Sequence, residues 1–277
     1  MIANARMYSV TPHVAALWRS LLGVILADTG APIEIVDHAP PAPISELWLR
    51  PDKAAVFMCG LPWSLATAQP GLVAAPVLSP AAYGDRPCYW SDVVVRADSP
   101  FRTIEQTFGH RLALTTPESQ SGYAALLHAL MPHGGSTPLY REIVEPRFTP
   151  MGALTAVIER KAEVAPIDSY AFALLSKHAP DLTSQVRAVM STEPTAVPLL
   201  VSSGPAARRI TAAFLSGREV PATAALMDQL LLRRFVRPES RAYDELRERF
   251  LTMQAFWRRH PLVERAHPLF AAEFEGH

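Results

Sequence analysis

The chain has 277 residues, 49% hydrophobic and 19% charged, which is enough apolar material for a large buried core and too much for a disordered chain. Its 26 basic and 26 acidic side chains cancel to a net charge of zero, which argues against a dedicated nucleic-acid binder. Two cysteines, Cys59 and Cys88, are too few for a disulfide framework, and neither sits in a Cys/His cluster that would hold zinc.

Tyr8-Ser9-Val10 reads as a short strand, and Thr11-Pro12 opens a helix whose apolar positions Val14, Leu17, Leu21 and Leu22 recur at helical spacing. Gly30 is its natural stop. PIEIVDH alternates as a strand does, a proline-rich loop leads to a short helix, and KAAVFMCG is a compact apolar strand. The first ninety residues therefore read β-α-β-α-β, an order that predicts a parallel sheet with right-handed crossovers. CYWSDVVVRADS is a further strand, and the strand–helix theme repeats through RLALTTPESQSGYAALLHALM. MGALTAVIERK, SYAFALLSKH and most of the chain beyond Gly204, including PATAALMDQLLLRRF and the Arg/Glu-rich residues 238–259, read as helix. AEVAPID, QVRAVMS and AVPLLVSS read as strands. The pattern suggests two α/β units followed by a helical tail.

Ligand sites of open parallel sheets lie beyond the strand C-termini. That rule selects Tyr8 and Ser9, Cys59 through Trp63, Ser119 through Ser121, and Asp168 with Ser169. In PESQSGY, Ser119 is an expected N-cap, and Ser121 and Gly122 are small enough to let an anion approach the first-turn N–H groups. The turn has no lysine, so it is not a Walker loop. Asp168 either caps the helix after it or accepts from a ligand amine or hydroxyl. Tyr8, Trp63, Tyr83, Tyr89 and Trp90 lie near these turns, as core or as flat walls of a small-ligand cleft. No G-x-S-x-G elbow or H-E-x-x-H occurs, so nothing nominates catalytic residues, and no metal or cofactor is expected. The N-terminus shows no signal-peptide h-region and no cleavage site, a pattern of a cytoplasmic protein or of one whose leader has been removed. No stretch approaches the ~18 apolar residues of a membrane span, so direct membrane insertion is not expected.

Four segments in order resemble the phosphate/phosphite/phosphonate substrate-binding proteins of ABC importers: YWSDVVVRADSPFRTIEQTFGHRLAL, PESQSGY, ALTAVIERKAEVAPIDSYAFALL and RAVMSTEPTAVPLLVSS. PESQSGY is similar to that family's S-T-S-G-Y ligand turn. The resemblance implies a type II periplasmic-binding-protein fold, α/β throughout, with two lobes joined by a two-crossover hinge. Lobe one would hold residues 1–92 and 198–277, and lobe two residues 93–197, with strands near Val93–Val95 and Val197–Val201 crossing between them. A small phosphonate- or phosphate-like anion would bind in the interlobe cleft. Ser119, Gln120 and Ser121 would meet the anionic head, Tyr8, Ser9, Gly60, Trp63 and Tyr89 would serve from the opposite lobe, and Asp168 would face the ligand's tail or amine. An ABC permease would be the partner and the family's location the periplasm. An enzyme on the same fold, as in thiamine-pyrimidine or menaquinone-precursor synthesis, is the alternative. The sequence departs from the family pattern at Gln120, usually threonine, and at Pro150, where many members have histidine. It departs again at Lys161-Ala162, where a glycine turn is usual.

Overall fold

The computed structural model describes residues 1–27, 29–268 and 270–271. The chain forms two compact α/β units, one of Met1–Tyr89 with Thr195–Asp244, the other of Trp90–Pro194 with Glu245–His277.

Unit one is built on a six-stranded mixed sheet. Lys53–Met58 is buried along its whole length and pairs in parallel with Ile2–Asn4, which pairs in parallel with Glu34–Ile35. Leu199–Ser202 lies antiparallel between Lys53–Met58 and Gly71–Leu78, and Leu232–Val236 completes the edge beside Gly71–Leu78. The helix Pro12–Ala27 buries Val14, Trp18, Leu21, Leu22, Ile25 and Leu26, with Leu17 only half-buried at the edge of that face. Trp18 and Tyr8 both meet Phe57 edge-on, at 5.1 and 5.3 Å between ring centroids.

Three expectations are corrected here. The first strand is Ile2–Asn4, and Tyr8 closes a single tight turn, Arg6–Tyr8, rather than lying in a strand. The sheet is mixed, because Leu199–Ser202 and Leu232–Val236 enter antiparallel. LLLRRF is not helical: the helix Pro221–Gln229 stops, Leu231 takes φ 55°, and Leu232–Val236 is a strand. Leu232 and Phe235 are both buried at a spacing of three, which imitates a helix. A register shift between Leu232 and Arg234 turns both inward in a strand.

Unit two has its own six-stranded sheet. Arg111–Leu112 runs parallel to Tyr140–Ile143 and to Val164–Asp168, while Ser91–Arg96 lies antiparallel between Val164–Asp168 and Val186–Ser191. Val93, Val94 and Val95 lie inside this unit, and Val197–Val201 inside unit one; the chain passes between units at Tyr89/Trp90, Pro194/Thr195 and Asp244/Glu245. Residues 245–277, placed by sequence with lobe one, belong to unit two. Their side chains account for it: Trp257 is buried and donates to Leu127 O at 2.9 Å, Val263–Arg265 pairs with Tyr140–Ile143, and Phe270 stacks on Tyr123. The helix Arg241–Trp257 buries Tyr243, Leu246, Phe250, Met253 and Trp257 and leaves its charges outside, as the amphipathic reading anticipates. Among the described residues no helix is long and apolar enough to cross a membrane.

Candidate functional site

In unit one, two parallel strands set the geometry. Ile2–Asn4 and Lys53–Met58 run side by side in one direction, so the residues after them, Tyr8-Ser9 and Gly60, emerge at the same end of the sheet. Ser9 Oγ donates to Ala5 O at 3.0 Å, and Gly60 opens the short helix Gly60–Leu65. Trp63 is buried, donates through Nε1 to Pro70 O at 3.0 Å and packs against Tyr243. Tyr89 is buried in a two-residue ladder with Thr195–Ala196. Packing holds the Tyr8, Trp63 and Tyr89 rings in place, and the Trp63 N–H is occupied within the unit.

In unit two, three parallel strands end together. After Arg111–Leu112 come Thr115 and the PESQSGY turn; after Tyr140–Ile143 comes Arg147; Val164–Asp168 ends in Asp168 itself. Ser119 has extended backbone and accepts the Gly122 N–H through Oγ at 2.9 Å, the N-cap its residue type favours. The first helical turn, Gln120–Ala124, is wide, with the Ala124 N–H reaching back to Ser119 O at 3.0 Å. Such wide turns are a recurrent feature of functional sites. Helix continues through Ala129, so one dipole is aimed along ten residues at this turn. Gln120 and Ser121 are buried.

The turn is tied down on both sides. Ser121 O accepts from Ser91 Oγ at 2.7 Å, and Ser121 Oγ donates to Asp168 Oδ2 at 3.2 Å. Asp168 Oδ1 accepts the N–H groups of Tyr170 and Ala171, both at 2.9 Å, and so caps the helix Ser169–His178. Burial pushes the Asp168 carboxyl up to about 6, against the bonds from Ala171, Ser121 and Tyr170 that favour its charged form, with Asp92 adding a little to the rise. The capping by Asp168 is real, and Oδ2 retains lone-pair capacity beyond Ser121.

Gly122 is small for a reason inside the protein. A Cβ on it would lie 2.0 Å from Thr115 Oγ1, so the Thr115 side chain occupies the space over the first turn. Thr115 also fixes the turn through its own N–H, which donates to Gly122 O at 3.1 Å. Its Oγ1 is buried without a hydrogen-bond partner. Sequence reasoning singled out neither Thr115 nor Arg147. The rule of looking past strand C-termini would have reached both, had it been applied beyond Arg111–Leu112 to each residue and beyond Tyr140–Ile143 at all. Pro150 opens the helix Pro150–Ile158, where a missing N–H costs nothing, and Thr149 Oγ1 accepts from Gly152 N at 3.0 Å. Among the described residues no cluster of His, Cys, Asp or Glu could hold a metal ion.

Comparisons with known proteins agree with this architecture. A binding-protein component of an ABC phosphonate transporter from Pseudomonas aeruginosa aligns with TM-score 0.78 at 14% identity, over 93% of this chain and 88% of that one. PhnD1 from Prochlorococcus marinus, solved with methylphosphonate, aligns with TM-score 0.76 at 14% identity, over 91% and 97%. A Xanthomonas citri protein solved with ATP aligns with TM-score 0.62 at 18% identity, over 92% and 98%. At these identities the likeness establishes the fold, which is the type II periplasmic-binding-protein fold that the motif order implies. No curated protein matches the chain in sequence. The family model described as ABC transporter, phosphonate, periplasmic substrate-binding protein matches residues 13–243. The chain therefore belongs to the family of phosphonate ABC-transporter substrate-binding proteins.

Proposed function

We propose that this protein binds a small phosphonate- or phosphate-like anion at the Ser119–Tyr123 turn and presents it to an ABC permease. The observation that carries the reading is the wide, serine-capped helix N-terminus at the end of three parallel strands of unit two. A helix N-terminus offers N–H donors and partial positive charge to an anion. The Ser121 hydroxyl proton is directed at Asp168 and the Gly122 N–H at Ser119 Oγ, so the turn acts on the anion chiefly through the partial positive charge of the helix N-terminus. Protonation of Asp168 would release that hydroxyl to the ligand and remove a negative charge from beside it. Gln120, in place of the usual threonine, keeps a donor on a longer side chain. Asp168 completes the proposed set of ligand contacts in unit two.

Calorimetric titration with methylphosphonate, phosphite, phosphate, a sulfonate and a carboxylate tests the proposal. Saturable binding of a phosphorus oxyanion is expected, with thermal stabilisation of about 2.7 kcal/mol at a hundredfold excess over Kd. Absence of binding by any of these anions would remove the reading.

A further inference from the structure

Among the described residues, Arg147 has no counter-charge in an ion pair. It follows the strand Tyr140–Ile143, and its N–H donates to Leu114 O at 3.1 Å, one residue before Thr115. On its other side it packs against the first turn of Pro150–Ile158, where its Cβ would lie 3.3 Å from a Cβ on Gly152. The residue is half-buried, its Nε is shielded from solvent, and that Nε has no hydrogen-bond partner. A shielded guanidinium N–H left unmade is costly, and native proteins rarely keep one without a use. Thr115 is 5% exposed, and its unpartnered Oγ1 lies against Gly122, in the first turn of the helix that begins at Gln120. Two unsatisfied groups therefore belong to residues at the same strand end, Thr115 itself and Arg147, whose backbone N–H is held by Leu114 O.

We propose that Arg147 supplies the full positive charge that neutralises the bound anion and selects tetrahedral oxyanions of phosphorus. The inference rests on the anion-binding reading above and deepens it. A helix N-terminus carries only about half a charge. A phosphonate near neutral pH carries more than one, so a second positive group is needed to bury it. The guanidinium's planar fork matches two oxygens of such a group, which an ammonium does not. Pro150 removes one backbone donor from the neighbouring helix start, and Arg147 restores a donor at the same strand end.

The test is calorimetry with methylphosphonate and with inorganic phosphate on wild type, Arg147→Gln and Arg147→Lys, alongside the melting temperature of each ligand-free protein. Arg147→Gln is expected to weaken both anions by roughly 10–100-fold, the worth of a charge-assisted hydrogen bond. Its ligand-free melting temperature should be unchanged or higher, since a shielded, unpaired charge is gone. Arg147→Lys should recover part of the affinity. Wild-type affinity in Arg147→Gln would overturn this inference while leaving the anion site standing. A loss of both affinity and ligand-free stability that lysine does not rescue would make Arg147 structural and overturn it too. Failure of the wild type to bind either anion would overturn this inference and the reading beneath it together.

Discussion

Burial holds the Asp168 carboxyl at about 6, above its ordinary 3.8, because three donors do not fully replace the water it loses. The folded protein thus binds this proton more tightly than the unfolded chain. Asp168 contributes most to stability below pH 3.8, and that contribution is lost as pH rises through about 6. The difference is about 3 kcal/mol across the window. Asparagine cannot titrate and retains an acceptor for Tyr170 and Ala171. Urea unfolding of wild type and Asp168→Asn at pH 4 and pH 7 should show asparagine gaining about 2 kcal/mol relative to wild type at the higher pH, since part of the window lies below pH 4. A difference independent of pH would mean that the Asp168 carboxyl is not raised. Residue identity alone could place Asp168 and Ser121 at a strand end, but it could not show that the Ser121 proton points at Asp168. That depends on two helix starts meeting across 47 residues of chain. Gly122 was legible as small, and its cause, Thr115 Oγ1, was not.

Among the elements, the helix Pro150–Ile158 ends without the glycine its family pattern favours, and the cost falls on a named residue. Lys161 and Ala162, the turn positions expected from sequence, both donate back to Ala156 O, and the left-handed position is Arg160, at φ 62°. A side chain there is strained, whereas glycine is not. Arg160→Gly should stabilise the protein by about 0.5–1 kcal/mol, seen as a higher urea midpoint at unchanged slope. The exposed pair with Asp98, at 3.7 Å, contributes little to set against that gain. The carbonyl that accepts from Arg111 Nη2 is backbone and survives the change. A lower midpoint would mean that Arg160 earns its place through contacts. Long periodic elements were legible: Pro12–Ala27, Lys53–Met58 and Val164–Asp168 lie where their patterns predict. Leu232–Val236 was not, since a bulge gives a strand the spacing of a helix, and Gly71–Leu78 carries Pro76 inside its apolar run.

For the whole molecule, the sequence conveys two α/β units and a family, through the order of four motifs rather than any single one. It does not convey the last passage between units, because Arg241–Trp257 is one unbroken amphipathic helix. Only distant partners, Val197 for Tyr243 and Leu127 for Trp257, assign its beginning to one unit and its remainder to the other. What the architecture does at unit two is bring three strand ends to one helix start, and the account stands or falls on whether an anion settles there. Nuclear magnetic resonance titration of the isotope-labelled protein with methylphosphonate reads that location directly. The account predicts saturable shifts of the Gln120, Ser121 and Gly122 amides, with the Arg147 Nε resonance moving in the same titration. Saturable binding that leaves these amides unmoved, or no saturable shift at any amide, would contradict it.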